Sequence, residues 1–188
     1  MLTDSGGYQV FSLGDRRRID EDGVSFRSHL DGSLQRLTPE SASDIQAQLG
    51  SDIAMVFDEC ASYPVSEAEA RNSMERTLRW ARRGRRRFLD TGEHPSRLEG
   101  EVTNAGQAQF GIVQGGVYTA LRDESARETV SIGFDGFAIG GLSVGEPTEV
   151  MYAVVEHTTP MLPDNRVRYL MGTGMPDDLV ECVARGID

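Results

Sequence analysis

Apolar residues along this chain come in two rhythms. Short, nearly continuous runs occur at "DIAMVFDEC" (52–60), "QFGIVQGG" (109–116), "GFAIGGL" (136–142) and "VRYLMGTG" (167–174). Runs of that length read as strands buried on both faces. The opening "MLTDSGG" reads as the tail of another. Helical signals follow each run. Thr38-Pro39-Glu40 has the form of an N-cap with proline at the first helical position, and that helix should stop near Gly50. Ser66 and Glu69 form a capping box. The helix it opens is long, with Ala70, Met74, Leu78, Ala81 and Phe88 near one face. Further helices are predicted over about 117–131, 147–159 and 176–185, the last with Pro176, Asp177 and Asp178 in a first turn that suits the helix dipole. Between the first strand and the first helix, "GVSFRSHLDGSLQRL" alternates around Asp31-Gly32, a hairpin signal. The polar stretch 91–108 reads as a surface loop.

Strand–helix alternation with continuous apolar strands predicts an α/β fold with a parallel sheet. The choice lies between a doubly wound sheet and a (β/α)8 barrel. Nearly every strand here ends in a polar or glycine-rich signature: Asp4-Ser5-Gly6-Gly7, Asp58-Glu59-Cys60, Gln114-Gly115-Gly116, Gly140-Gly141, Gly172-Thr173-Gly174. A doubly wound sheet concentrates its site at one switch point, whereas a barrel gathers it from many strand ends. The expectation is therefore part of a TIM-type (β/α)8 barrel, with a hairpin excursion near residues 22–37. A barrel of this kind takes about 250 residues. The 188 residues hold five strand–helix units and are expected to form one partial barrel domain, incomplete at both ends.

Composition narrows the classes. With 38% hydrophobic and 26% charged residues, the chain reads as an ordinary globular domain. No apolar run approaches a membrane span, and the N-terminus lacks the pattern of a signal peptide. Cys60 and Cys182 stand alone, without metal-ligand spacing or a disulfide framework, so a reducing cytoplasm is expected and both read as small buried residues. The net charge of −11 argues against a nucleic-acid partner. Yet all 19 basic residues are arginine, and they cluster at 16–18 and 79–87. Such clusters are either phosphate-binding patches or solvated helix faces.

Asp4-Ser5-Gly6-Gly7 is either a tight turn or a loop that brings backbone close to a ligand while Asp4 does chemistry. A chymotrypsin-like nucleophile is excluded by order, because Ser5 precedes His29, His94 and His157. Asp58 and Glu59 end a buried strand, where a carboxylate caps a helix or faces a site. Gln114, followed by two glycines, suits the reading of a polar ligand's donor–acceptor edge. "IGGLSVG" (139–145) offers unobstructed backbone amides. No GxGxxG or Walker pattern is present, and no metal site can be built from this chain. Two carboxylates (Asp4, Asp58), an amide (Gln114) and open backbone suit a planar heterocycle with several donors and acceptors. These residues alone do not choose the reaction.

The phrases "LTDSGGYQVFSL", "MVFDEC", "FGIVQGG", "FAIGGLSVGE" and "YLMGTGMPDDLVECVARGID", in that order along essentially the whole chain, resemble the bacterial tRNA-guanine transglycosylases (queuine tRNA-ribosyltransferases). The resemblance implies an interrupted (β/α)8 barrel with an inserted zinc subdomain. It implies a pentosyltransferase that replaces wobble guanine in certain tRNAs by 7-aminomethyl-7-deazaguanine, in queuosine biosynthesis, through a covalent ribosyl-enzyme intermediate. By motif, Asp4 resembles the acid–base aspartate. Ser5, Gly6, Gly7 and Tyr8 would shape the pocket, with Tyr8 stacking on the base. Asp58 resembles the acceptor of the base's ring N–H and amino group. Gln114 and the Gly141 N–H resemble the donors to its carbonyl. The Leu142 carbonyl would lie near the 7-substituent, Cys60 on the pocket wall, and Met171 over the other ring face. Gly172, Thr173, Gly174, Met175, Pro176, Asp177 and Asp178 resemble a tRNA-contacting stretch.

In the family the nucleophilic aspartate lies in a phrase like "GIDMFDC", which this chain enters at Gly186-Ile187-Asp188 and leaves before that residue. The zinc subdomain, with its Cys-x-Cys-x-x-Cys and later His, also falls outside the phrases matched. The expectation is a fragment with most of the pocket, no zinc ligands of its own and no activity alone. The full-length enzyme would hold zinc, form a homodimer in the cytoplasm, and take tRNA and a 7-deazaguanine base as partners, with no membrane. Two other readings stand beside it: a non-catalytic partner subunit of such an enzyme, and an unrelated barrel enzyme acting on a small heterocycle.

Overall fold

A computed structural model describes residues 1–12, 17–93 and 104–188 of the chain. It begins with β1 (Leu2–Thr3) and a short helix α1 (Gly7–Phe11), followed by three antiparallel strands, β2 (Arg17–Ile19), β3 (Val24–Arg27) and β4 (Leu34–Leu37). Strand–helix alternation then takes over: α2 (Pro39–Gln48), β5 (Ile53–Met55), α3 (Glu67–Glu93), β6 (Ala108–Val113), α4 (Thr119–Ile132), β7 (Gly136–Ile139), α5 (Thr148–Thr158), β8 (Arg168–Leu170) and α6 (Pro176–Ala184). The main sheet has the order β1-β5-β6-β7-β8, every neighbouring pair parallel, and it curls into half a barrel. Consecutive parallel strands in chain order, with helices between them, are the connectivity of a (β/α)8 barrel rather than of a doubly wound sheet.

The helix-start chemistry works as the sequence predicts. Thr38 and Ser41 cap α2 reciprocally, with the Ser41 N–H donating to Thr38 Oγ1 at 3.1 Å and the Thr38 N–H to Ser41 Oγ at 2.8 Å. The Ser66–Glu69 box does the same for α3. Ala70, Met74, Leu78, Ala81 and Phe88 are all buried along that helix. Three features differ from the sequence expectation. The hairpin is a three-stranded sheet, because Arg17–Ile19 pairs antiparallel with β3. The residues after Asp4 form a helical turn, α1. The strands are shorter than the apolar runs, which continue as buried extended chain into the strand-end loops. The stretch 91–108 lies largely outside the described residues; its first residues belong to α3 and its last to β6.

The core sits between the sheet and α3, α4 and α5. β6 and β7 are buried on both faces. They carry Gly111 and Gly136 where Phe134 and Phe110 lie across the strand backbone; a Cβ at Gly136 would stand 2.3 Å from the Phe110 ring. The small sheet packs Val24, Ile19, Phe26 and Leu37 around Phe57 and Trp80. Trp80 is fully buried. Its ring stacks on Phe57 at 5.0 Å, and its Nε1–H donates to the Glu21 carbonyl at 2.8 Å.

Most of the arginine run is engaged within the fold. Along α3, Arg76 pairs with Glu59, Arg79 with Glu21, Arg82 with Glu128, Arg83 with Glu40, Arg85 with Asp135 and Arg87 with Asp44. Those acids lie on the small sheet, α2, α4, the loop after β5 and the turn before β7. The cations are spent on neighbouring elements, and they tie one long helix to everything around it. An isolated exposed pair is worth little, but a shared network orders each side chain for more than one contact.

Trp80 joins α3, the small sheet and the segment after β5 through one side chain. Trp80→Ala should cost about 3–5 kcal/mol of unfolding free energy, and Trp80→Phe clearly less. Denaturant unfolding measures this, and an alanine variant indistinguishable from wild type would remove Trp80 from that role.

Candidate functional site

The strand-end residues meet at the C-terminal edge of the main sheet. After β5, the buried Val56 and Phe57 carry the chain to Asp58, which is 6% exposed. After β6 comes Gln114, 2% exposed. Its Nε2–H donates to Asp58 Oδ2 at 2.7 Å, and its backbone N–H donates to Ser125 Oγ of α4 at 3.0 Å. Gly140 and Gly141 follow β7 and pack directly on the Gln114 amide. A Cβ at Gly141 would lie 2.2 Å from Gln114 Oε1, and its φ of +67° also favours glycine. Only at a residue without a side chain can the amide stay close to the cavity.

The cavity has a volume of about 310 Å³ and is lined by Asp4, Tyr8, Asp58, Cys60, Gly140, Gly141, Leu142, Ser143, Tyr169, Met171 and Gly172. Asp4 is exposed at its mouth and Asp58 is sunk in its wall. Burial pushes the Asp58 carboxyl up to about 6; the Gln114 hydrogen bond opposes this and the nearby Asp4 charge adds to it. Burial, with the Asp58 charge, pushes the Cys60 thiol up to about 12, so it remains a neutral wall residue. Glu146 accepts from the Ser143 and Val144 N–H groups and holds Ser143 at a φ of +58°.

The other site residues expected from the sequence fall around this cavity. Gly7 is the first residue of α1, pressed against Asp58: a Cβ there would meet both the Asp58 carbonyl and Oδ1 at 2.6 Å. Gly6 caps α1 with a φ of +90°, and buried Ser5 accepts the Gly7 N–H at 3.3 Å. These three support the wall without lining the cavity. Gln114 is buried between Asp58, to which its amide donates, and the Gly140-Gly141 backbone that borders the cavity. Of the stretch after β8, Gly172 reaches the rim. Thr173 Oγ1 meets Ser143 Oγ at 3.4 Å, Met175 caps α6, and Asp178 accepts the Tyr152 hydroxyl at 2.6 Å. Gly174, Pro176 and Asp177 lead away from the cavity on exposed backbone.

Sequence reasoning missed Tyr169, the last polar side chain of "VRYL", and Arg122 of α4. Arg122 occupies the same stripe as Leu121, Ser125, Ala126 and Thr129, the buried face of that helix. A larger hollow, about 760 Å³, lies over β2–β4. It is shallow and arginine-lined and holds neither Asp4 nor Asp58, so it is not the carboxylate site.

The whole chain, residues 1–188, matches the family described as "TGT: Queuine tRNA-ribosyltransferase". It is 55% identical over 188 residues to the queuine tRNA-ribosyltransferase of Shewanella piezotolerans, a match covering 100% of this chain and 47% of that protein. It is 54% identical over the same length to the protein of that name from Idiomarina loihiensis, again 47% of that protein. The chain thus spans about half the length of the curated relatives it matches.

Asp58 titrates higher in the folded protein than its ordinary value of 3.8. The folded state then holds this proton more tightly than the unfolded chain. Its contribution is fully present below pH 4 and is lost as pH rises toward 6. Compared with Asp58→Asn, wild type should lose up to roughly 3 kcal/mol of stability across that window and run parallel to the variant above it. Denaturant midpoints of both proteins from pH 4.5 to 7.5 measure it, and parallel curves throughout would show that Asp58 is not the buried acid described.

Proposed function

The chain belongs to the queuine tRNA-ribosyltransferase family, and from that premise we propose that it forms the base-binding half of an enzyme exchanging a tRNA guanine for 7-aminomethyl-7-deazaguanine. The observation that carries this reading is the buried Asp58–Gln114 pair beside the side-chain-free Gly140-Gly141 edge, in one cavity with Asp4. Guanine and its 7-deaza analogues present one edge with a ring N–H and an amino group beside a carbonyl. Ionised Asp58 accepts from the first two; the second Gln114 amide proton and the Gly141 N–H donate to the third. Tyr8 from α1 and Met171 from the end of β8 supply apolar surface for the ring. Cavity volumes of a few hundred Å³ suit a ligand of this size.

In the proposed reaction a carboxylate attacks the ribose anomeric carbon as its bond to guanine breaks. The incoming base then displaces that carboxylate from the opposite face, the one guanine left, so the two inversions give retained configuration, as in a retaining glycosidase with a base in place of water. No residue of this chain is assigned as that nucleophile. Asp4, exposed at the mouth of the cavity, is assigned the proton transfers to the leaving base and from the entering one. The target guanine has to leave its stack to reach Asp58. We assign contact with the RNA to the exposed backbone from Gly172 to Asp178. Its acids, Asp177 and Asp178, suit recognition through backbone and hydroxyl groups rather than phosphate.

Among the described residues no three His, Cys, Asp or Glu side chains are placed to hold a metal ion. They do not fit the family's zinc, and no step is derived through it; zinc is proposed for the full-length enzyme on other residues. Homodimerisation and a cytoplasmic location are proposed on the same footing. Among the described residues no helix is long and apolar enough to cross a membrane.

Cys60 on the cavity wall and the Leu142 backbone suit a small aminomethyl cation better than a bulky substituent at position 7. The full-length protein should therefore prefer 7-aminomethyl-7-deazaguanine to queuine in a competition assay. Asp58→Ala should weaken guanine and the deazaguanine together, by about 1–3 kcal/mol, because both present the same edge, and Gln114→Ala somewhat less. Equal use of queuine, or an Asp58→Ala protein with undiminished guanine affinity, would refute the pocket.

A further inference from the structure

Arg122 is fully buried in α4, and no step of the proposed reaction uses it. Its Nε–H donates to the Gly116 carbonyl at 2.8 Å. Its Nη1 donates to the carbonyls of Val113 and Gly140, each at 2.8 Å. Val113 and Gly116 flank Gln114, and Gly140 precedes Gly141. One planar guanidinium therefore grips the backbone on both sides of the amide and immediately before the glycine N–H. Ser125, one helical turn along on the same face, adds the Gln114 backbone N–H to what α4 holds.

We propose that Arg122 is a positioning residue for the carbonyl-reading edge of the cavity: by fixing the Val113, Gly116 and Gly140 carbonyls it aims the Gln114 amide and the Gly141 N–H at an exocyclic oxygen on the bound base. This rests on the base-binding reading above. Three considerations support it. First, an arginine is a costly way to fill a helix–sheet interface. Burying a cation demands several compensating hydrogen bonds, and an apolar side chain of similar volume commonly packs there as well or better. Second, the fork geometry is used: two separate nitrogens reach three carbonyls on two strand-end loops, which a lysine nitrogen cannot span. Third, Nη2 is buried with no hydrogen-bond partner, and it lies 3.6 Å from the point where a Cβ on Gly141 would stand. The unspent donor faces the edge that reads the oxygen. Burial draws the guanidinium down to about 10, so it is charged at neutral pH.

A merely structural Arg122 and a positioning one make different predictions. A structural role weakens every ligand alike as the loops loosen. A positioning role weakens recognition of the carbonyl and spares the ring N–H and amino group, which Asp58 takes. The probes are guanine and 6-thioguanine. The second keeps the ring N–H and the amino group and replaces the oxygen by a larger, weakly accepting sulfur. Equilibrium binding of both is measured to the full-length protein, as wild type, Arg122→Met and Arg122→Lys. Wild type should prefer guanine. Arg122→Met should lose roughly tenfold to hundredfold in guanine affinity with 6-thioguanine little changed, so that the preference collapses. Arg122→Lys, which restores charge without the fork, should fall between the two. An equal loss for both bases, an unchanged preference, or the failure of both variants to fold would overturn the positioning role. Absence of guanine binding by wild type would instead strike down the base-binding reading on which it rests.

Discussion

The hydrogen bond from Gln114 to Asp58, 2.7 Å long and shut away from solvent, constrains the rest of the site. It joins the ends of adjacent strands, β5 and β6, and it links a carboxylate that resents burial to the neutral amide that makes burial tolerable. Neither group could sit there alone: an unpaired buried carboxylate neutralises and an unpaired amide loses its hydrogen bonds with nothing in return. Everything nearby is shaped to leave this pair undisturbed. Gly7 lacks the Cβ that would strike Asp58, and Gly141 lacks the one that would strike Gln114. Arg122 and Ser125 hold the backbone of the amide from beneath. A change of one methyl group at either glycine acts on the ligand edge through this contact.

The charge distribution follows from where each charge is used. A chain with 30 acidic and 19 basic residues could scatter its arginines over the surface. Instead α3 lines up six of them against acids from five neighbouring regions. The helix lies under the segment that carries Asp58, since Arg76 takes the adjacent Glu59 and Thr77 accepts the Glu59 N–H at 3.0 Å. The same network that ties the elements together thus fixes the loop carrying Asp58.

What could be read from the sequence was what local chemistry dictates. Continuous apolar runs gave the parallel strands, Thr38 and Ser66 gave helix starts, and the glycine-rich strand ends gave the direction in which the site lies. Asp4 and Asp58 could be placed at one edge because successive parallel strands all end there. Three features were out of reach. The α1 turn depends on Gly7 fitting against Asp58, a contact between residues 51 apart in sequence. β2 is a strand only because Ile19 pairs with Val24 and packs on Trp80, which overrides the polar look of three arginines and an acid-rich turn. Arg122 sits on a buried helical stripe, but a charged residue there becomes informative only once the carbonyls it serves are known.

The two carboxylates of the cavity illustrate why the distinction between wall and mouth matters chemically. Asp4 and Asp58 line the same small space, and the Asp4 charge makes that of Asp58 harder to keep. If both were exposed they would be interchangeable; if both were buried, one would be neutral. The fold separates them by environment: Asp4 follows β1, an edge strand of the described sheet, and is exposed, while Asp58 follows a core strand and is enclosed. A group that must exchange protons with a leaving base needs access to solvent and freedom to change charge. A group that must read a base needs a fixed direction and a partner that keeps it there. Pairs of like groups pushed apart by their surroundings are how one site performs two tasks. Here the separation costs only a difference in strand position, and the enclosed member is held by Gln114, whose backbone is in turn held by α4.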